Sequence, residues 1–152
     1  MSNFGFLKTE WPELFTSAAR VEALSLIDPR GACFYARRTL ELAVNWLYAH
    51  DPALVLPYDD RLSALIHDSD FRQLVPQDVF QKIQVIKGLG NEAVHSNRKI
   101  EPTDAGQATK ELFHILYWLA GAHLYAAKRF ALRRPGLRSQ PAFRRGTTGG
   151  RA

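Results

Sequence analysis

Residues 87–96 read Lys-Gly-Leu-Gly-Asn-Glu-Ala-Val-His-Ser, and this stretch joins helical spacing to an unusual choice of residues. If the segment is helical, Lys87, Asn91 and His95 fall four residues apart and share one face. The adjoining face is apolar and follows the same period. It consists of Ile83, Ile86, Gly90 and Ala93. The stretch therefore predicts an amphipathic helix with a polar stripe.

The two glycines of this stretch need a reason, because each costs a helix about 1 kcal/mol relative to alanine. Close approach of another backbone is a reason for keeping such a glycine. An earlier helical pattern that carries Arg37, Arg38 and Glu41 is the natural neighbour. We therefore expect these three residues to meet Lys87, Asn91 and His95 at a helix–helix seam.

Helical periodicity and boundary residues extend over most of the remaining chain. The predicted helices are Thr9–Ile27, Pro29–His50, Leu62–His67, Asp70–Leu74, a long one from Pro76 or Gln77 to Ser96, and a last one that begins after Pro102, with Thr103 or Asp104 as its cap, and ends near Arg133. No stretch of useful length shows the alternation of apolar and polar residues that is typical of a strand. The sequence thus predicts an all-α bundle of four long helices and two short ones, with an apolar arm at Asn3–Leu7.

The expected core follows the apolar positions of these helices. On the second helix these positions are Phe34, Leu40, Val44 and Leu47. The last helix is apolar on several faces, which is typical of a helix that is central or shared with a partner. We expect Trp46, Tyr117 and Trp118 in the core rather than on a base-stacking surface.

The formal charge of +5 is unevenly distributed along the chain. Residues 135–152 contain four arginines and no acid, which leaves 16 basic against 15 acidic residues for positions 1–134. This last segment is also rich in Pro, Gly and Thr, a composition that favours disorder. We therefore predict a helical domain at 1–134 and a flexible basic tail or linker at 135–152.

Several classes of protein are disfavoured. The lone Cys33 precludes an internal disulfide, and no histidine pair has zinc-helix spacing, so we expect no metal and no cofactor. No apolar run approaches the roughly 20 residues that cross a bilayer, and the first residues do not form a signal peptide. We expect a cytoplasmic protein. Neither a phosphate-binding loop nor the acid-x-Lys pair of a restriction nuclease is present.

Two patterns together carry a resemblance to a known family. They are Ala-Arg-Arg-x-Leu-Glu at 36–41 and Lys-x-Leu-Gly-Asn-x-Ala-x-His at 87–95. This combination resembles the bacterial family of domain of unknown function 4145, which belongs to the HEPN-like helical bundles. The opening Asn-Phe-Gly-Phe-Leu at 3–7, followed by Glu-Trp-Pro at 10–12, is similar to the start of type I restriction enzyme R subunits and related helicases. The resemblance spans roughly residues 3–130.

The resemblance implies a test of catalytic competence. Many HEPN proteins are metal-independent ribonucleases whose motif is an Arg, a polar residue, three variable residues and a His. On this chain Asn91 and His95 match the polar residue and the His, but Gly90 stands in the Arg position. The missing guanidinium is the group that would stabilise charge at the scissile phosphate. We therefore expect no catalytic residues here.

The expectation that follows is a non-catalytic accessory domain of a type I restriction R subunit or related helicase, acting in DNA defence. Its contact surface would be Arg37, Arg38, Glu41, Lys87, Asn91 and His95. Its partners would be DNA, RNA or restriction-system subunits, and no membrane. Two alternatives stay open: a stand-alone HEPN ribonuclease or toxin, and a helical module that forms homodimers.

Overall fold

The protein folds as an all-α bundle in a computed structural model that describes the backbone of residues 1–133 and the side chains of residues 1–124. The six α-helices are α1 (Pro12–Leu24), α2 (Pro29–His50), α3 (Leu62–His67), α4 (Ser69–Leu74), α5 (Gln77–His95) and α6 (Pro102–Arg133). No strand occurs within residues 1–133. The prediction of four long helices and two short ones is confirmed. The predicted basic tail at 135–152 lies outside the described residues.

The helix ends follow from local residues. Asp28 accepts a hydrogen bond from the backbone N–H of Gly31 at 3.0 Å, and Pro29 occupies the first helical position, so α2 begins where predicted. The first helix is shorter than the predicted Thr9–Ile27. Residues 8–10 and 25–27 form turns on either side of it, and Ser25 bonds back to the carbonyl of Glu22 through both its N–H and its hydroxyl.

Helix α2 is central and packs against α1, α5 and α6, while α5 and α6 pack against each other. The N-terminal arm closes one side of the core, as predicted: Phe4 and Leu7 are fully buried, and Gly5–Leu7 forms a short 3-10 helix. Small side chains at Ala32, Cys33 and Ala36 line the buried face of α2 and allow its neighbours to come close.

Two predicted core positions are wrong. Phe34 is 46% exposed, because Cys33 and Ala36 rather than Phe34 continue the buried face of α2. Tyr117 is 63% exposed and stacks on Phe113 at the surface of α6. Trp46 and Trp118, in contrast, pack against the core as expected.

Within residues 1–133, no helix combines the length and the apolar character required to cross a membrane.

Candidate functional site

At the seam between α2 and α5, the side chain of Arg37 connects the two helices. Its guanidinium Nη1 donates a hydrogen bond to the side-chain carbonyl Oδ1 of Asn91. Its Nε lies 3.5 Å from Oε1 of Glu41, one turn along α2. The Arg37 side chain is only 27% exposed. A partly desolvated cation is thus held between an amide on the facing helix and a carboxylate on its own helix.

Gly90 makes this arrangement sterically feasible. A Cβ atom built on Gly90 would lie 2.5 Å from Cβ and 2.8 Å from Cδ of Arg37, distances that real side chains do not adopt. The aliphatic stem of Arg37 therefore occupies the space above Gly90. The expectation of close approach is right for Gly90, although the contact is with a side chain rather than a backbone. For Gly88 it is wrong, since a Cβ there would meet nothing within 4 Å.

Arg38 lies on the other side of Glu41. Its guanidinium Nη1 is 3.5 Å from Glu41 Oε2, and its side chain is 56% exposed. It lines a surface groove between α1 and α2 together with Arg20 and Tyr35, where the Arg20 guanidinium lies 4.4 Å from the centre of the Tyr35 ring. The structure thus separates the two arginines: Arg37 is directed to α5 and Arg38 to the α1 side.

The three residues of the polar stripe on α5, Lys87, Asn91 and His95, each have different neighbours. Lys87 donates from Nζ to the hydroxyl of Ser63 on α3 at 3.3 Å. Asn91 bonds Arg37, as described. His95 is exposed, and its imidazole makes no hydrogen bond or ion pair to any residue that the structure describes. The expected pairing of His95 with charges on α2 is therefore not seen.

Arg30 is a structural residue that the sequence analysis missed. Its guanidinium donates to the carbonyl oxygens of Ala93 at 2.6 Å, Ser96 at 3.2 Å and Glu92 at 3.3 Å, and also to that of Arg98. The last carbonyls of a helix lack partners within the helix and carry partial negative charge. Arg30 therefore caps the C-terminal end of α5 from the first turn of α2.

A buried pair at the far end of α2 was also missed. His123 of α6 lies with its Nε2 2.8 Å from Oδ2 of Asp51, and their side chains are only 8% and 12% exposed. The Trp46 ring meets the His123 ring edge-on at 5.9 Å between centroids. The sequence did show that His123 is a lone histidine on an apolar helix face. A buried histidine in such a position needs a polar partner in the fold.

The remaining titratable groups do not suggest further chemistry. Burial raises the pKa of the Cys33 thiol to about 11, so this cysteine packs as a small apolar side chain, as expected. Across the residues that the structure describes, no three His, Cys, Asp or Glu side chains gather closely enough to hold a metal ion.

These features define a class: an all-α bundle whose central helix carries a polar seam against a glycine-containing partner helix. The model of the family described as Domain of unknown function (DUF4145) matches residues 19–133, and the chain belongs to that family. The match covers both α2 and α5, and hence the whole seam. No curated protein and no solved structure matches the chain.

Proposed function

We propose that this chain is a non-catalytic accessory domain that recognises nucleic acid through the α2–α5 seam, as part of a type I restriction R subunit or a related DNA helicase. The observation that carries the proposal is the position of Arg37 over Gly90. It explains both the absence of an arginine at position 90 and the presence of a cation in the seam.

The argument against catalysis is steric and electrostatic. An arginine at position 90 would have to displace the stem of Arg37, which already fills that space. The guanidinium of Arg37 is itself bonded to Asn91 and paired with Glu41, so its charge is partly neutralised in the ground state. A group that stabilises a transition state has to be aimed at the developing charge, not at other side chains.

The argument for nucleic acid rests on charge and on one exposed ring. Arg37 and Lys87 bring two permanent positive charges to the seam, and Arg38 adds a third on the α1 side of Glu41, the carboxylate that pairs with both arginines. Phe34 lies four residues before Arg38 on the same face of α2 and is 46% exposed. Cations that contact phosphates beside an exposed aromatic ring are typical of surfaces that bind unpaired bases.

The restriction context is supported by the N-terminal residues that carried the resemblance. Phe4 and Leu7 are fully buried, and Trp11 is 3% exposed. The motif at 3–12 is therefore an integral part of the folded domain. The resemblance of this segment to restriction subunits therefore concerns residues that are folded against the bundle.

The test combines binding with cleavage. Fluorescence anisotropy with fluorescein-labelled single-stranded DNA and RNA is expected to show binding that weakens with salt. Two phosphate contacts would give a slope of about −1.4 in log K against log salt, and Arg38→Ala would remove about 0.7 of it. His95→Ala is also expected to weaken binding. Lys99→Ala, a control on the exposed loop after α5, should bind like the wild type, and the labelled RNA should remain uncut.

A second candidate is a ribonuclease in which Arg37 substitutes for the missing motif arginine. It is favoured by one observation, the guanidinium bonded to Asn91 one helical turn from the exposed His95. The two candidates differ in the cleavage assay. Cutting of RNA that is lost in both His95→Ala and Arg37→Ala would establish the enzyme and overturn the non-catalytic proposal.

A further inference from the structure

A cavity of about 470 Å³ lies between the start of α1 and the C-terminal half of α2, and it shares Glu13 and Leu42 with the groove that Arg38 lines. Trp11 and Trp46 form its aromatic walls, and Glu10, Glu13 and Asn45 supply its polar groups. Among the residues whose side chains the structure describes, no lysine or arginine lines it. Its size is that of a pocket for a small molecule or a single side chain.

The two indoles are held in fixed orientations. Their centroids are 5.4 Å apart and their planes are nearly perpendicular, at 73°. The His50 ring stacks on the Trp46 ring, with 4.3 Å between the centroids and 14° between the planes. The His123 ring contacts the Trp46 ring edge-on. A preformed pair of aromatic walls loses little conformational freedom when a ligand binds.

The two carboxylates are not neutralised by the protein. Glu13 is exposed and Glu10 is half-buried, and neither side chain forms an ion pair or hydrogen bond with any part of the chain that the structure describes. Arg38 and Arg20 line the adjoining groove, but Arg38 pairs with Glu41 and Arg20 lies over the Tyr35 ring. The cavity therefore presents negative charge beside aromatic rings, the combination that binds organic cations.

Trp11 gives an independent indication of a ligand. The residue is only 3% exposed, yet its indole Nε1 has no acceptor among the described residues. Buried indole N–H groups normally find a partner, since an unpaired buried donor is costly. Trp11 lines the cavity, but its Nε1 atom is closed to solvent, so an acceptor brought by a ligand reaches it only if the indole ring shifts toward the cavity.

We propose that this cavity binds an arginine side chain presented by a segment of a partner protein. The planar guanidinium stacks against the indole of Trp46 and donates to the carboxylates of Glu10 and Glu13. With the indole ring shifted toward the cavity, a carbonyl oxygen of the same segment accepts from Trp11 Nε1. This site adjoins the groove that Arg38 lines and shares Glu13 with it, but the proposal does not depend on nucleic-acid binding.

The experiment uses Nα-acetyl-L-arginine amide as the probe and the isosteric, uncharged citrulline derivative as its control. The indole N–H signals of Trp11, Trp46 and Trp118 are followed in ¹⁵N-labelled full-length protein. The arginine derivative is expected to shift the Trp11 and Trp46 signals saturably, with a dissociation constant on the order of millimolar for one side chain, and to leave Trp118 unchanged. The citrulline derivative is expected to shift neither.

A charge-neutral variant tests the carboxylates. Glu10→Gln with Glu13→Gln is expected to weaken arginine binding about tenfold, because two charge-assisted hydrogen bonds become neutral ones. Asp60→Asn with Glu101→Gln removes the same total charge from exposed positions outside the cavity and should change binding less than about twofold. Both pairs replace surface groups, so the fold is retained.

Three results would overturn the proposal. The first is the absence of a saturable shift at Trp11 and Trp46. The second is an equal response to arginine and citrulline derivatives, which would mean that the charge is not recognised. The third is undiminished binding by the Glu10→Gln, Glu13→Gln variant.

Discussion

The side chain of Arg37 lies across Gly90, so that a Cβ at position 90 would come within 2.5 Å of the Arg37 Cβ. From this position the guanidinium reaches Asn91, the next residue of α5. One glycine on α5 thus allows one arginine of α2 to cross the helix–helix boundary. The seam includes this contact, which can be tested by small changes.

Gly90→Ala is expected to destabilise the protein by about 1–3 kcal/mol, because the new methyl group forces the stem of Arg37 or the two helices apart. Gly88→Ala, two residues earlier in the same helix, meets open space. It is expected to stabilise the protein by about 0.5–1 kcal/mol through helix propensity. Urea denaturation followed by circular dichroism measures both. Equal effects of the two substitutions would show that Gly90 has no special packing role.

Arg30→Ala is expected to lower the free energy of unfolding by about 2 kcal/mol, since the carbonyls at the end of α5 lose a charged donor. Arg30→Lys should recover less than half of this loss, because an ammonium cannot reproduce the planar fork that reaches several carbonyls. Amide hydrogen exchange in the last turn of α5 should rise in both variants. Full recovery by lysine would mean that charge alone, and not the geometry of the cap, stabilises this helix end.

Asp51→Ala and His123→Ala are each expected to destabilise the fold by about 1–3 kcal/mol, because each leaves a buried polar partner unsatisfied. The double variant should cost less than the sum of the two, since neither orphan then remains. Chemical denaturation of all four proteins completes the cycle. Additive losses would show that the 2.8 Å contact contributes no coupling energy.

Stability should fall at alkaline pH because of Cys33. Burial raises the pKa of its thiol from 9.0 to about 11, so the folded state keeps a proton that the unfolded chain releases. The contribution is therefore fully present below pH 9 and is lost as the pH rises to about 11. Cys33→Ala, compared with the wild type in thermal melts from pH 8 to 11, should show a shallower decline. A parallel decline in the two proteins would assign the effect to other groups, such as Tyr48, whose pKa burial also raises, to about 12.

A second readout of the same cysteine is its reactivity. A thiol that is fully buried and protonated should label slowly with a disulfide reagent at pH 8 and rapidly after denaturation. Fast labelling of the native protein would contradict the packed position of Cys33.

Much of the fold could be predicted because the start and end of a helix depend largely on the residues close to that position. Asp28 and Pro29 set the start of α2, and its predicted range agrees with the structure at both ends. The ends of α1 were missed, because they depend on turns at 8–10 and 25–27 that have no strong sequence signal. The prediction for Phe34 is wrong because the small Cys33 and Ala36, and not Phe34, form the buried face of α2 at this point.

For the candidate site, the sequence predicted residues that take part but not the directions of their side chains. The sequence predicted that Arg37, Arg38, Glu41, Lys87, Asn91 and His95 meet at one seam, and the structure brings Arg37, Glu41 and Asn91 into contact. The sequence could not indicate that Arg38 faces the α1 side or that Lys87 reaches Ser63. Long side chains have several rotamers, and their choice is fixed by neighbours that are distant in sequence.

By itself, the sequence determined the helical class and most of the helix limits, because these depend on periodicity and on residues adjacent in the chain. The family was indicated by the resemblance of two motifs, at 36–41 and 87–95, and the family model matches residues 19–133. Only the tertiary structure decided that Arg37 fills the space over Gly90, that His123 meets Asp51 seventy-two residues away, and that two tryptophans enclose an acidic cavity. These contacts join residues distant in the chain, and which of them form depends on how whole helix faces pack.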